Sequence, residues 1–209
     1  MYRQSSSGMM TPGVKNLLLA NIAVFIVQIL APSLVENKYF ILVPQLVFKK
    51  LYLWQLVTYM FLHGGLGHIF FNMFALWMFG IELERTWGTK EFLKYYFLTG
   101  IGAGIFIALF SSYPTIGASG AVYGVLAAFA LFFPDRYVYL YFLFPIKMKY
   151  LALGLGLLEF LSSYRAADGI AHVAHLGGMI IGFFYLRYKY RHWGIGQNFF
   201  KNLFRRWGP

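Results

Sequence analysis

Long, sparsely charged apolar runs dominate the sequence and limit the folds open to it. They cover about residues 14–31, 67–83, 92–110, 119–133, 149–164 and 170–186, with polar turns between them. A chain crosses lipid only as helices or as a closed barrel, because every backbone N–H and C=O needs a partner there. Barrel strands are short and alternate in polarity. These runs are continuous, so the expected fold is all-α, a polytopic membrane protein built as a six-transmembrane-helix bundle. Composition agrees, with only 12% charged residues against about 25% in soluble domains.

The net charge of +11 would raise nucleic-acid binding in a soluble protein. Here the basic residues sit between and after the apolar runs, where topology signals lie. No nucleic-acid partner is expected; the lipid bilayer is. With both termini in the cytoplasm, only Lys38, Lys49, Lys50 and Arg165 fall outside, four of the 18 basic residues. The positive-inside rule favours that orientation. Residues 1–13 read as a flexible cytoplasmic tail, 14–188 as the membrane domain and 189–209 as a basic amphipathic cytoplasmic tail. In that tail Phe200, Leu203, Phe204 and Trp207 recur at helical spacing, a pattern suited to an anionic leaflet. Residues 32–66 form an apolar but interrupted connection, read as a structured segment at the interface. The turn Glu84–Glu91 is charged. The compact chain with no long targeting segment points to a bacterial plasma (inner) membrane.

Six spans make the second, fourth and sixth all enter from the outer side. His68 with Asn72, then Ser119, then His172 with His175, lie near the starts of those three. They therefore share one side and a similar depth. The fourth span, at 15 residues, covers roughly 22 Å of a roughly 30 Å hydrocarbon core. Ser119 then sits roughly 8 Å below the outer surface, a depth that His175 matches.

A serine becomes a nucleophile when a base takes its proton, and histidine is the usual base. Gly120 with Gly124, and Gly178 with Gly182, are small-xxx-small pairs that let membrane helices approach closely. Each pair follows a candidate catalytic residue, so their contact brings Ser119 to a histidine. The helix start at Ser119 offers free N–H groups, and His68 and Asn72 share a helix face as further donors for an oxyanion. Glu159 and Asp168, two of the seven carboxylates, lie in or near the outer half of the last two spans. This favours a Ser–His dyad over a triad, with Glu159 in a buried hydrogen bond. Other readings stay open for each part. Ser119 can be a small packing residue, His68 and Asn72 an interhelical hydrogen bond, and His172 and His175 a polar or metal-binding pair. No H-E-x-x-H pattern and no Cys are present, so neither a metal nor another cofactor is expected.

Three motifs in order resemble the rhomboid family of intramembrane serine proteases: His68-Ile-Phe-Phe-Asn72, Gly117-Ala-Ser-Gly120 and Ala174-His-Leu-Gly-Gly178, the last with Gly182 four residues on. Glu84 and Gly88 resemble the family's turn, although its basic residue stands at Arg85 and Thr86 occupies the position where Arg is common. The resemblance covers about residues 14–188. It implies a Ser119–His175 dyad, selected over His172 by Gly178. It implies an oxyanion hole from His68, Asn72 and the Ser119 N–H, and Tyr123 stacked on His175. It implies single-span membrane-protein substrates cleaved near the outer face, to which the active site opens. A catalytically silent rhomboid-like scaffold that binds membrane clients is the alternative; such relatives lose the serine or histidine, and this chain keeps both.

Overall fold

The computed structural model describes residues 10–140, 143–163 and 169–191. The expected Arg165–Gly169 turn lies almost wholly outside these residues. So do the first nine residues of the N-terminal tail and the amphipathic pattern at Phe200–Trp207.

Helix α1 (Pro12–Leu30) starts two residues earlier than its apolar run, with Pro12 in the first turn, where its missing N–H is no loss. The long connection folds as three short helices, α2 (Pro32–Val35), α3 (Pro44–Lys49) and α4 (Gln55–Thr58), then a 3-10 turn at Tyr59–Phe61. Helices α5 (Leu66–Trp87) and α6 (Thr89–Phe110) follow. The charged stretch between their apolar runs is therefore mostly helix. It breaks only at Gly88, whose φ of 82° suits a residue without Cβ.

Glu84 explains why that stretch stays ordered. It is buried, and its carboxylate accepts from Thr11 Oγ1 (2.6 Å), Gly13 N–H (2.7 Å), Val14 N–H (2.8 Å) and Thr89 Oγ1 (2.6 Å). The first N–H groups of a helix have no partner within it. Here one carboxylate satisfies those of α1 and also holds the start of α6.

Helix α7 (Ser119–Phe132) is central and packs on α5, α6, α8 (Met148–Ser162) and α9 (Gly169–Lys189). Gly120, Ala121, Val122 and the whole run Gly124–Ala130 are buried, as expected of a helix apolar on all sides. Between α7 and α8 lies a hairpin absent from the all-α expectation. Strand β1 (Tyr137–Leu140) pairs antiparallel with β2 (Phe144–Lys147), Tyr137 opposite Lys147. Its aromatic and β-branched residues favour extended pairing once Pro134 has ended α7.

The glycine pairs act differently from the simple two-helix contact read from sequence. A Cβ on Gly178 would overlap the Gly120 carbonyl, so these two mate α7 with α9. A Cβ on Gly124 would meet Thr99, one on Gly182 would meet Tyr95 and one on Gly120 would also meet Ala103, so these glycines admit α6 as well. Large apolar side chains remain exposed on the outer flanks, including Ile29 and Leu30 on α1, Phe70 and Phe71 on α5, and Leu157 and Leu158 on α8. Among the described residues, three helices, α1, α5 and α6, are long and apolar enough to cross a membrane by length and composition. Helix α7, with 14 residues, rises only about 21 Å.

Candidate active site

The loop before α7 is fixed at both ends. Leu42 and Thr115 exchange backbone hydrogen bonds (3.1 and 2.9 Å), and the Gly117 N–H donates to the Tyr59 carbonyl (2.8 Å). Gly117 has a φ of +128°, and a Cβ there would lie 2.7 Å from the His68 ring. Both facts require glycine. They let the imidazole press against the turn that leads into Ser119.

Ser119 is the first residue of α7. The first bond into this helix runs from the Val122 N–H to the Ala118 carbonyl. The N–H groups of Ser119, Gly120 and Ala121 thus precede the helical ladder and carry its positive end. An open cavity of about 720 Å³ lies over this point. Its walls include Ser119, His175, His68, Asn72, Tyr123, Gly117 and Tyr59. The structure therefore brings to one cavity the polar residues that the sequence spreads over three spans. His172 is not among the lining residues.

His68 is oriented by the Gly64 N–H, which donates to its Nδ1 at 3.2 Å. With Nδ1 accepting, neutral imidazole carries its proton on Nε2, the edge beside Gly117. Asn72 spends one amide hydrogen on the His68 carbonyl (2.9 Å), which leaves its second for another acceptor. His63 backs His68 edge-on, with ring centroids 5.1 Å apart. Its own backbone is tied to Gln28, whose amide exchanges hydrogen bonds with the His63 N–H (2.9 Å) and C=O (3.1 Å). Burial, and secondarily His68, push the His63 imidazole down to about 4.

His175 is held on a face and an edge. Tyr123 stacks on it with centroids 4.0 Å apart and planes 6° from parallel. Its Nδ1 lies 3.0 Å from Glu159 Oε1, at ion-pair distance though out of line for a straight hydrogen bond. Glu159 also accepts from the Tyr123 hydroxyl and pairs with His172 Nδ1. The expected dyad therefore omits a carboxylate that the fold brings to the histidine. The buried hydrogen bond expected of Glu159 is present, but its partners include a residue lining the cavity. The sequence held one signal for this, a lone acid in an apolar helix one span before two histidines. Glu159, His172 and His175 bring ligand atoms within 4.8 Å of one another, a set able to hold a metal ion.

The family model of the Rhomboid domain matches residues 50–192, more than half of the chain and all of the cavity described above. Rhomboid protease GluP of Bacillus subtilis (strain 168) is 37% identical over 134 residues, covering 63% of this chain and 25% of that protein. Rhomboid protease AarA of Providencia stuartii is 29% identical over 193 residues, covering 79% of this chain and 68% of that one. Rhomboid protein 1, mitochondrial, of Saccharomyces cerevisiae is 31% identical over 164 residues, covering 71% and 44%. Of the first and third of these relatives the chain spans less than half the length.

Proposed function

The chain belongs to the rhomboid family and is an integral membrane protein, and from that premise we propose that it is a serine endopeptidase cutting membrane proteins within or beside their transmembrane segments. One observation carries this reading: Ser119, at the start of a short central helix, shares a cavity with His175, His68 and Asn72. The relatives named as proteases support it.

In this reading Ser119 Oγ attacks the scissile carbonyl carbon while His175 Nε2 takes the hydroxyl proton. The carbonyl π pair moves to oxygen. That oxyanion is met by the Ser119 N–H, by His68 Nε2–H and by the free amide hydrogen of Asn72. On collapse the C–N bond breaks, and the proton on Nε2 passes to the leaving amine. Water then attacks the acyl ester with His175 again as base, releasing the carboxylic acid and restoring Ser119.

The same proposal takes α1, α5, α6, α7, α8 and α9 as six spans, with both termini in the cytoplasm and the cavity opening outward. A helix of 14 residues starting at Ser119 supports a site below the outer surface. Substrates are single-span membrane proteins, and the membrane is a bacterial plasma membrane, although mitochondrial relatives also match. No cofactor takes part in the chemistry. The test is cleavage of a transmembrane substrate in proteoliposomes, with labelling by a serine-directed phosphonate. Ser119→Ala is expected to abolish both. Labelling that persists in the variant would overturn the assignment. Client binding by wild type without cleavage or labelling would replace the protease with a scaffold.

A further inference from the structure

Helix α8 is weakly anchored. Its buried residues are Met148, Lys149, Ala152 and Glu159, while Leu153, Leu157, Leu158, Phe160 and Leu161 are exposed. A carboxylate in such a helix is costly unless each oxygen is paired. Glu159 is only 7% exposed. Oε1 accepts from the Tyr123 hydroxyl and faces His175 Nδ1 at 3.0 Å, and Oε2 pairs with His172 Nδ1. One side chain of α8 therefore joins α7 and α9 immediately behind the cavity.

We propose that Glu159 is a positioning residue for the Ser119–His175 reaction, acting on His175 through Nδ1 and, by way of the Tyr123 hydroxyl, through the ring stacked on it. The inference rests on the proteolytic reading above. A proton on Nδ1, favoured by the carboxylate 3.0 Å away though not in line with it, leaves the lone pair of the imidazole on Nε2, the nitrogen left for Ser119. Tyr123 fixes the ring plane, and Glu159 fixes Tyr123. When Nε2 takes the Ser119 proton, the imidazolium that forms stands beside a carboxylate. Glu159 keeps its charge throughout, and no proton moves onto it. His172 occupies the second oxygen, which stops the carboxylate from rotating away. That gives His172 a supporting place even though it does not line the cavity.

The size of the effect follows from comparison with a soluble serine protease, where replacing the acid by its amide costs about 10⁴-fold in kcat. Here Tyr123 still holds the ring face and the Nδ1 contact is not straight. A fall of about 10²-fold is expected.

The full chain is reconstituted in proteoliposomes as wild type, Glu159→Gln, Glu159→Asp and Ser119→Ala. Cleavage of a transmembrane substrate gives kcat and KM separately, phosphonate labelling reports Ser119, and thermal unfolding reports the fold. Glu159→Gln is expected to lose about 10²-fold in kcat per folded enzyme with KM near wild type, and to unfold at a lower temperature because the amide leaves donors without an acceptor. Glu159→Asp is expected to recover part of kcat, since the charge returns on a shorter arm. A purely structural residue would lower the unfolding temperature and the folded fraction but leave kcat per folded enzyme at the wild-type value. If Glu159→Gln does not fold, Tyr123→Phe tests the same link, because it keeps the stacked ring and deletes the hydroxyl. It is expected to lower kcat about 2- to 10-fold at constant KM, the worth of one hydrogen bond. Glu159→Gln or Tyr123→Phe with wild-type kcat, in a preparation whose wild type cleaves and labels, overturns the role of Glu159 alone. Wild type that neither cleaves nor labels overturns the protease reading and this inference with it.

Discussion

Replacing Gly178 by alanine tests the contact that sets α9 against α7. An added Cβ would overlap the Gly120 carbonyl oxygen and stand 2.8 Å from its carbon and 3.3 Å from its Cα. All three atoms are backbone, so no rotamer change relieves the clash. Carbon pairs are most favourable at about 3.5–4.0 Å. The limiting contact is the carbonyl oxygen at 1.9 Å, so the helices must part by more than about 1 Å. Overpacking costs about 1–3 kcal/mol, and a backbone-on-backbone clash belongs at the upper end. At about 2–4 °C per kcal/mol for a chain of this size, the unfolding temperature should fall by about 6–12 °C. Gly120 follows Ser119 directly, and Gly178 lies one turn from His175. The same movement separates nucleophile from base, and a displacement of about 1 Å can cost about 10²-fold in rate. The control is Gly154→Ala on α8, where a Cβ meets nothing within 4 Å. That variant should keep full cleavage and gain slightly in stability, because alanine is the better helix former by about 0.5–1 kcal/mol. The assay pairs thermal unfolding in detergent with cleavage in proteoliposomes. If Gly178→Ala melts within about 1 °C of wild type and cleaves normally, the close α7–α9 contact is not what builds the site.

Glu84→Gln keeps the shape of a buried carboxylate but puts an amide NH2 against two of its four donors, because each oxygen accepts from two. It should destabilise the fold by about 2–4 kcal/mol, read by unfolding in detergent, and a loss below about 0.5 kcal/mol would deny Glu84 its capping role. His63 carries a pH-dependent share of stability outside the spanning helices. Its folded pKa of about 4 lies below the ordinary 6.5, so its contribution is complete above pH 6.5 and is lost as pH falls toward 4. At about 1.4 kcal/mol per pH unit, that gap caps the effect at about 3 kcal/mol. His63→Phe should flatten the fall in unfolding temperature over this window, and a slope equal to wild type would refute the point.

Apolar runs mark the six main helices to within a few residues, because burial of nonpolar surface and internal pairing of the backbone leave a chain this apolar few alternatives. The candidate site residues are legible in the same way, because polar side chains at the starts of apolar helices stand out against their surroundings. The hairpin at Tyr137–Lys147 is not legible from helical periodicity, since its signal is a short run of aromatic and β-branched residues inside a connection. The helical order of Glu84–Glu91 is hidden as well, because its cause lies some 70 residues away, at the start of α1.

The sequence by itself determined that this chain is helical and membrane-borne, and that Ser119, His68, Asn72 and His175 lie near the starts of apolar helices. Period, length and charge placement are local properties, and local reading suffices for them. Only the tertiary structure decided which glycine meets which helix, since Gly120 and Gly178 touch each other while Gly124 and Gly182 receive Thr99 and Tyr95. It alone set Glu159 at the His175 Nδ1, whereas the stacking of Tyr123 on that ring is what the rhomboid resemblance implies. Such contacts depend on how α7, α8 and α9 rotate about their axes and how closely they approach. Those quantities emerge from packing all the helices together, and no single helix encodes them.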